Sequence, residues 1–157
     1  MPSFQLLGLP AESFASLFTL PHEELTRRGM RRVVADRNHG FPCRVSLVDA
    51  AVGEELCLLP FEHQPAATPY RAAGPIFVRR NASQRVLAPG EVPDYVLSRL
   101  ISVRAYDAQH QMTDASICDG PAVATEIERQ FGDARVDYIH LHNARRGCFS
   151  CLVRRVS

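Results

Sequence analysis

Within the fourteen residues from Tyr138 to Cys151 the chain gathers His140, His142, Asn143, Arg145, Arg146 and Cys148. Two histidines two apart on a strand share a face, with Cβ atoms ~7 Å apart. That spacing lets both rings reach one divalent metal ion, given a third ligand from Cys148, His63 or Glu62. The same pair can instead line a hydrogen-bonded pocket without metal, act as general base, or stand on a solvated strand. A thiol beside an imidazole is an activated nucleophile, so Cys148 joins His140 and His142 as a catalytic candidate. Asn143 can donate to an oxyanion, and Arg145 can hold an anionic group. His63, Tyr70 and Arg71, from a proline-bearing stretch earlier in the chain, complete the expected ligand-binding set.

Strand-like runs over 136–142 and 148–156 flank Asn143–Gly147, a five-residue connection ending in glycine that suits an antiparallel hairpin. With that loop, His142 faces Cys148, His140 faces Ser150 and Tyr138 faces Leu152. One face then carries Ile139, Leu141, Phe149, Cys151 and Val153, and the other Tyr138, His140, His142, Cys148 and Ser150. A one-residue bulge would break this register, and Gly147 is the expected place for one. The Cys148-Phe-Ser-Cys151 spacing is that of redox pairs, but those sit at helix N-termini, whereas on a strand the two sulfurs point to opposite faces.

The remaining elements must position this hairpin. A short strand is expected over 4–9, then a helix from Pro10 with Phe14, Leu17 and Phe18 on its apolar face. A second helix starts at Pro21 and ends at Gly29. Strands are expected over 31–35, 43–48 and 55–60, followed by a long functional loop over 61–75 and a strand over 76–78. Pro93 opens a short helix, 101–106 alternates as a strand, and 107–111 turns into a returning strand over 112–118. Val123, Ile127 and Phe131 stripe the longest helix, near 121–131, which Gly120 and Pro121 open and Gly132 closes. The expected fold class is α+β: residues 1–157 as a single domain, a mostly antiparallel sheet with β-hairpins, short N-terminal helices and that one longer helix.

Composition narrows the function. The chain has 157 residues, 46% hydrophobic and 22% charged, with a formal net charge of +1. Near-neutral charge and the lack of an aromatic stacking motif argue against nucleic acid as a partner. No apolar run approaches the ~20 residues of a membrane span, and the first ten residues lack the pattern of a secretory signal. Cytoplasmic localisation and reduced thiols on all five cysteines are the expectation. All 18 basic residues are arginine, so every cationic contact is a planar fork suited to carboxylate or phosphate. Schiff-base and lysine-nucleophile chemistry are excluded.

Phe41–Ala50, Gly53–Gln64, Pro69–Val78, Ser102–Asp107 and Tyr138–Cys148 together resemble a bacterial family, domain of unknown function 1203. The Gly-Pro-Ile-Phe at 74–77 and the His-x-His-Asn-Ala at 140–144 are the most specific parts. The resemblance implies a soluble bacterial domain and transfers no catalytic residue, cofactor or partner. Two functions stand side by side. The first is a small-molecule pocket for an anionic ligand on the C-terminal hairpin, covered by the loop with His63, Tyr70 and Arg71. The second is a non-catalytic binding or assembly module whose hairpin edge or helix 121–131 packs against a partner or a copy of itself, as in a homodimer.

Overall fold

Alternating apolar side chains build the centre of the fold. Residues 100–107 and 136–143 carry Ile101, Val103, Ala105, Ile139 and Leu141 on one face, all fully buried. In the computed structural model, which describes residues 4–156, these runs are β7 (Leu100–Asp107) and β9 (Val136–Asn143). They pair antiparallel at the middle of a five-stranded sheet ordered β1-β10-β9-β7-β8, with β1 Phe4–Leu7, β8 Met112–Asp119 and β10 Phe149–Arg155. Helix α3 (Val123–Phe131) closes the apolar face, its stripe of Val123, Ile127 and Phe131 buried against Val103 and Leu141. Met1, Pro2 and Ser3, part of the stretch read for a secretory signal, lie outside the described residues.

The second sheet is ordered β2-β5-β6-β3-β4. Its strands are β2 (Arg31–Val34), β3 (Pro42–Cys43), β4 (Val48–Asp49), β5 (Glu55–Gln64) and β6 (Ala72–Arg79). All its pairings are antiparallel except β3 with β6. Cys57, Leu59, Ile76 and Val78 from this sheet share a core with Phe149 of β10 and with Phe14, Leu17 and Phe18 near the N-terminus. The two sheets therefore meet across the hairpin's second face. The expected α+β class with mostly antiparallel pairing holds, as do the hairpin and the long helix.

Three local readings change. The apolar face of Phe14, Leu17 and Phe18 is buried, but its backbone is two 3-10 turns, Ala11–Ser13 and Ala15–Thr19. The strand expected over 43–48 is a tight reversal between β3 and β4, with Leu47 at a φ of 55°. The long loop expected over 61–75 shrinks to 65–71, because β5 runs on to Gln64 and β6 starts at Ala72. The prolines that suggested a loop are accommodated. Pro60 lies opposite Pro75, beyond Leu58 and Phe77, where β2 and β3 stop pairing. A proline there removes no ladder hydrogen bond, since the outward side has no partner. Among the described residues, α1 (His22–Arg27), α2 (Asp94–Leu97) and α3 include no helix long and apolar enough to cross a membrane.

Candidate functional site

The hairpin register departs from expectation by one residue. His142 lies opposite Phe149, not Cys148, and His140 opposite Leu152, with a bulge between Phe149 and Cys151. Gly147 instead closes the loop at a φ of 81°, its N–H donating to the Asn143 carbonyl at 2.7 Å. The bulge is pinned from afar: the Tyr95 hydroxyl donates to the Ser150 carbonyl at 2.7 Å and accepts from Ser150 Oγ at 3.2 Å. Both groups are buried, so Tyr95→Phe is expected to lower stability by about 1–2 kcal/mol in thermal denaturation. An unchanged melting temperature would count against the pinning role. The bulge turns Phe149 onto the histidine face and leaves Cys151 and Val153 on the face covered by α3.

The candidate residues therefore divide between two places. The first is the sheet-to-sheet joint. His63, delivered by the unexpected extension of β5, has its ring centroid 4.7 Å from His142 and 6.1 Å from His140. It stacks on Phe149 at 5.7 Å. Arg104 and Ser102 of β7, opposite His140 and His142, add a guanidinium and a hydroxyl bonded to each other at 3.1 Å. Tyr70 packs edge-on to Tyr106, and Tyr106 lies 5.0 Å from His140. Of the three residues expected in a covering loop, His63 belongs to β5 and Tyr70 reaches the sheet at Tyr106. Arg71, however, is held on the surface by Glu62 at 3.0 Å, a loop-pinning pair.

Burial, neighbouring imidazoles and Arg104 push His140 down to about 3; burial and Arg104 do the same to His142, against the pull of the Gly147 carbonyl. Burial and Arg104 lower His63 as well. His140 and His142 are neutral at pH 7, and imidazoles this weakly basic take protons poorly there. His142 Nδ1 is fixed on the Gly147 carbonyl at 2.9 Å. His142 Nε2, His140 Nδ1 and His63 Nδ1 have no hydrogen-bond partner among the described residues. Among the described residues, no group of three or more His, Cys, Asp or Glu side chains is arranged to hold a metal ion. Of the suggested third ligands, Cys148 lies beside Arg44 and Glu62 is engaged by Arg71; only His63 sits beside both rings, where Arg104 adds positive charge.

The second place is a cavity of about 940 Å³ at the hairpin loop. Asn143, Arg145 and Cys148 line it, together with Arg146 and three arginines not singled out from sequence, Arg37, Arg44 and Arg99. Five arginines face a single lining acid, Asp119, in a chain whose net charge is only +1. Arg99 is neutralised by a bidentate pair with Asp49, at 2.7 and 3.2 Å. Arg37 lies over the Phe41 ring and contacts the exposed Asp36 at 3.8 Å. Among the described residues, Arg44, Arg145 and Arg146 pair with no carboxylate.

Arg44 is the least expected of these. It is 1% exposed, and its guanidinium donates to the Phe149 carbonyl at 2.7 Å, the Pro42 carbonyl at 2.5 Å and Cys148 Sγ at 3.1 Å. A buried guanidinium without a counter-ion is costly, and carbonyls satisfy its hydrogens without cancelling its charge. The sequence signal was present: a charged residue interrupting the apolar run from Cys43 to Val48. Phe41, Phe77 and Leu97 give the cavity apolar walls, and Asn143 lines it with its Oδ1 unpartnered.

Residues 40–155 match the family described as protein of unknown function (DUF1203), and the chain belongs to that family. Comparison with curated proteins and with solved structures gives no match. The match takes in every strand except β1 and β2, and every residue of the two places described above except Asp36 and Arg37.

Proposed function

We propose that this protein binds a small anionic molecule in the arginine-lined cavity at the tip of the C-terminal hairpin. The observation that carries this reading is the collection of five arginines around one cavity, with Arg44 buried and, among the described residues, without a counter-ion. An anionic ligand head supplies the missing negative charge. Guanidinium forks suit carboxylate or phosphate, and hydrogen bonds to charged groups are worth about 1.5–3 kcal/mol each. The walls of Phe41, Phe77 and Leu97 accept an apolar body, so the favoured ligand has an anionic head on a hydrophobic or aromatic frame. Arg145 and Arg146 grip from the loop, and Asn143 orients a polar group.

Thermal shift tests this reading with phenyl phosphate, benzoate and inorganic phosphate at low ionic strength. A ligand that binds the folded state raises the melting temperature with its concentration, and saturable binding is expected for phenyl phosphate. Arg145→Gln with Arg146→Gln should raise the apparent Kd by about tenfold or more, the loss of one to two charge-assisted contacts. Wild-type protein whose melting temperature responds to none of these anions would overturn the reading.

A further inference from the structure

The five cysteines differ in what surrounds them. Cys43, Cys57 and Cys151 are buried, and Cys118 is partly buried. Burial raises the thiols of Cys57 and Cys151, and burial together with Glu126 and Asp119 raises that of Cys118. Those groups favour the unreactive protonated form, because the thiolate is the nucleophile. Cys148 is placed differently. Its half-buried side chain lines the arginine cavity, Arg44 Nη2 donates to its sulfur at 3.1 Å, and Asn143 Nδ2 lies 3.8 Å away. Negative charge that develops on the sulfur is met by a fixed guanidinium that has no carboxylate partner among the described residues. Arg145 and Arg146, exposed on the loop, line the same cavity, and their charge attracts anions and repels cations.

We propose that Cys148 exchanges with small carboxylate-bearing disulfides and forms a mixed disulfide inside the cavity. The selectivity for an anionic partner rests on the anion-binding reading above; the reactivity of the thiol does not. In the exchange, Cys148 Sγ attacks one sulfur of the incoming disulfide and a new S–S bond forms as the old one breaks. The displaced sulfur leaves as a thiolate and takes up the proton that Cys148 released. Cys148 is oxidised, half of the incoming disulfide is reduced to a thiol, and the disulfide itself is the oxidant.

The test uses the full chain with oxidised glutathione, which is anionic, and cystamine, which is cationic, followed by intact mass and peptide mapping. One glutathione adduct on Cys148 is expected, formed at least tenfold faster than the cystamine adduct. The adduct should be absent in Cys148→Ser. Arg145→Gln with Arg146→Gln should slow glutathione and leave cystamine unchanged or faster. Adduct formation that persists in the Cys148→Ser variant, or mapping to another cysteine, would overturn the proposal. So would equal or faster reaction with cystamine. If phenyl phosphate binds and Cys148 stays unmodified, the exchange proposal falls and the anion site stands. If Cys148 reacts without charge preference and no anion binds, the anion site and the selectivity fall together.

Discussion

Acidification from pH 7 to about pH 4.5 is expected to destabilise this protein strongly, in a window set by histidines rather than carboxylates. His140 and His142 ionise near 6.5 when unfolded and at about 3 when folded. Their contribution is fully present above pH 6.5, where both states are neutral. As pH falls below 6.5 the unfolded chain binds protons that the folded chain refuses, and stability drains until about pH 3. Each ring costs about 1.4 kcal/mol per pH unit across this window. The two together reach several kcal/mol by pH 4.5, a large share of the roughly 5–15 kcal/mol that holds a domain folded. His63 acts in the same direction. The paired carboxylate of Asp133, held low at about 2 by Arg135, begins to matter only in more acid solution. Chemical unfolding followed from pH 8 to pH 4 should show the midpoint falling from about pH 6.5 downward, and His140→Leu should flatten the slope. A midpoint that holds steady to pH 4.5 would contradict the buried, neutral placement of these rings.

Removal of the Arg44 guanidinium is the second large effect. This side chain ties the turn after β3 to β10 through the Phe149 and Pro42 carbonyls, and it is almost fully buried. Arg44→Ala leaves both carbonyls without that donor and opens a void, at an expected cost of roughly 3–5 kcal/mol. Arg44→Met refills most of the volume and removes the uncompensated charge, so it should recover part of that loss. Both variants should lose anion binding. Urea unfolding separates these outcomes. Arg44→Ala within about 0.5 kcal/mol of wild type, the range of an ordinary surface substitution, would mean the guanidinium is not holding the two segments together.

Periodicity made much of the framework readable. The Val123, Ile127 and Phe131 stripe, the alternation over 101–106 and the hairpin with its glycine loop are all present in the structure. His140 and His142 share one face and His63 packs beside both, while Tyr70 packs on Tyr106 instead. Readability failed where a distant partner decides the local conformation. The Ser150 bulge depends on Tyr95, fifty-five residues away, and by shifting the register it separates Cys148 from His142. The extension of β5 to His63 was hidden by Pro60 and Pro75, although Cys57, Leu59, Phe61 and His63 continue the period of two. The arginine cavity draws on the loop after β2, β3, the end of α2, the start of α3's approach and the hairpin tip. No short window of sequence contains it: Asn143, Arg145 and Cys148 marked the hairpin side, and Arg37, Arg44 and Arg99 come from distant segments.

The most direct measurement is a heteronuclear NMR titration with phenyl phosphate that follows backbone amides and arginine Nε–Hε groups together. Binding in the cavity should give saturable shifts at Arg44, Arg145, Arg146, Asn143 and Cys148, with His63, His140 and His142 little changed. Shifts centred on the histidine joint, or none that saturate, would contradict an anion site at the hairpin tip.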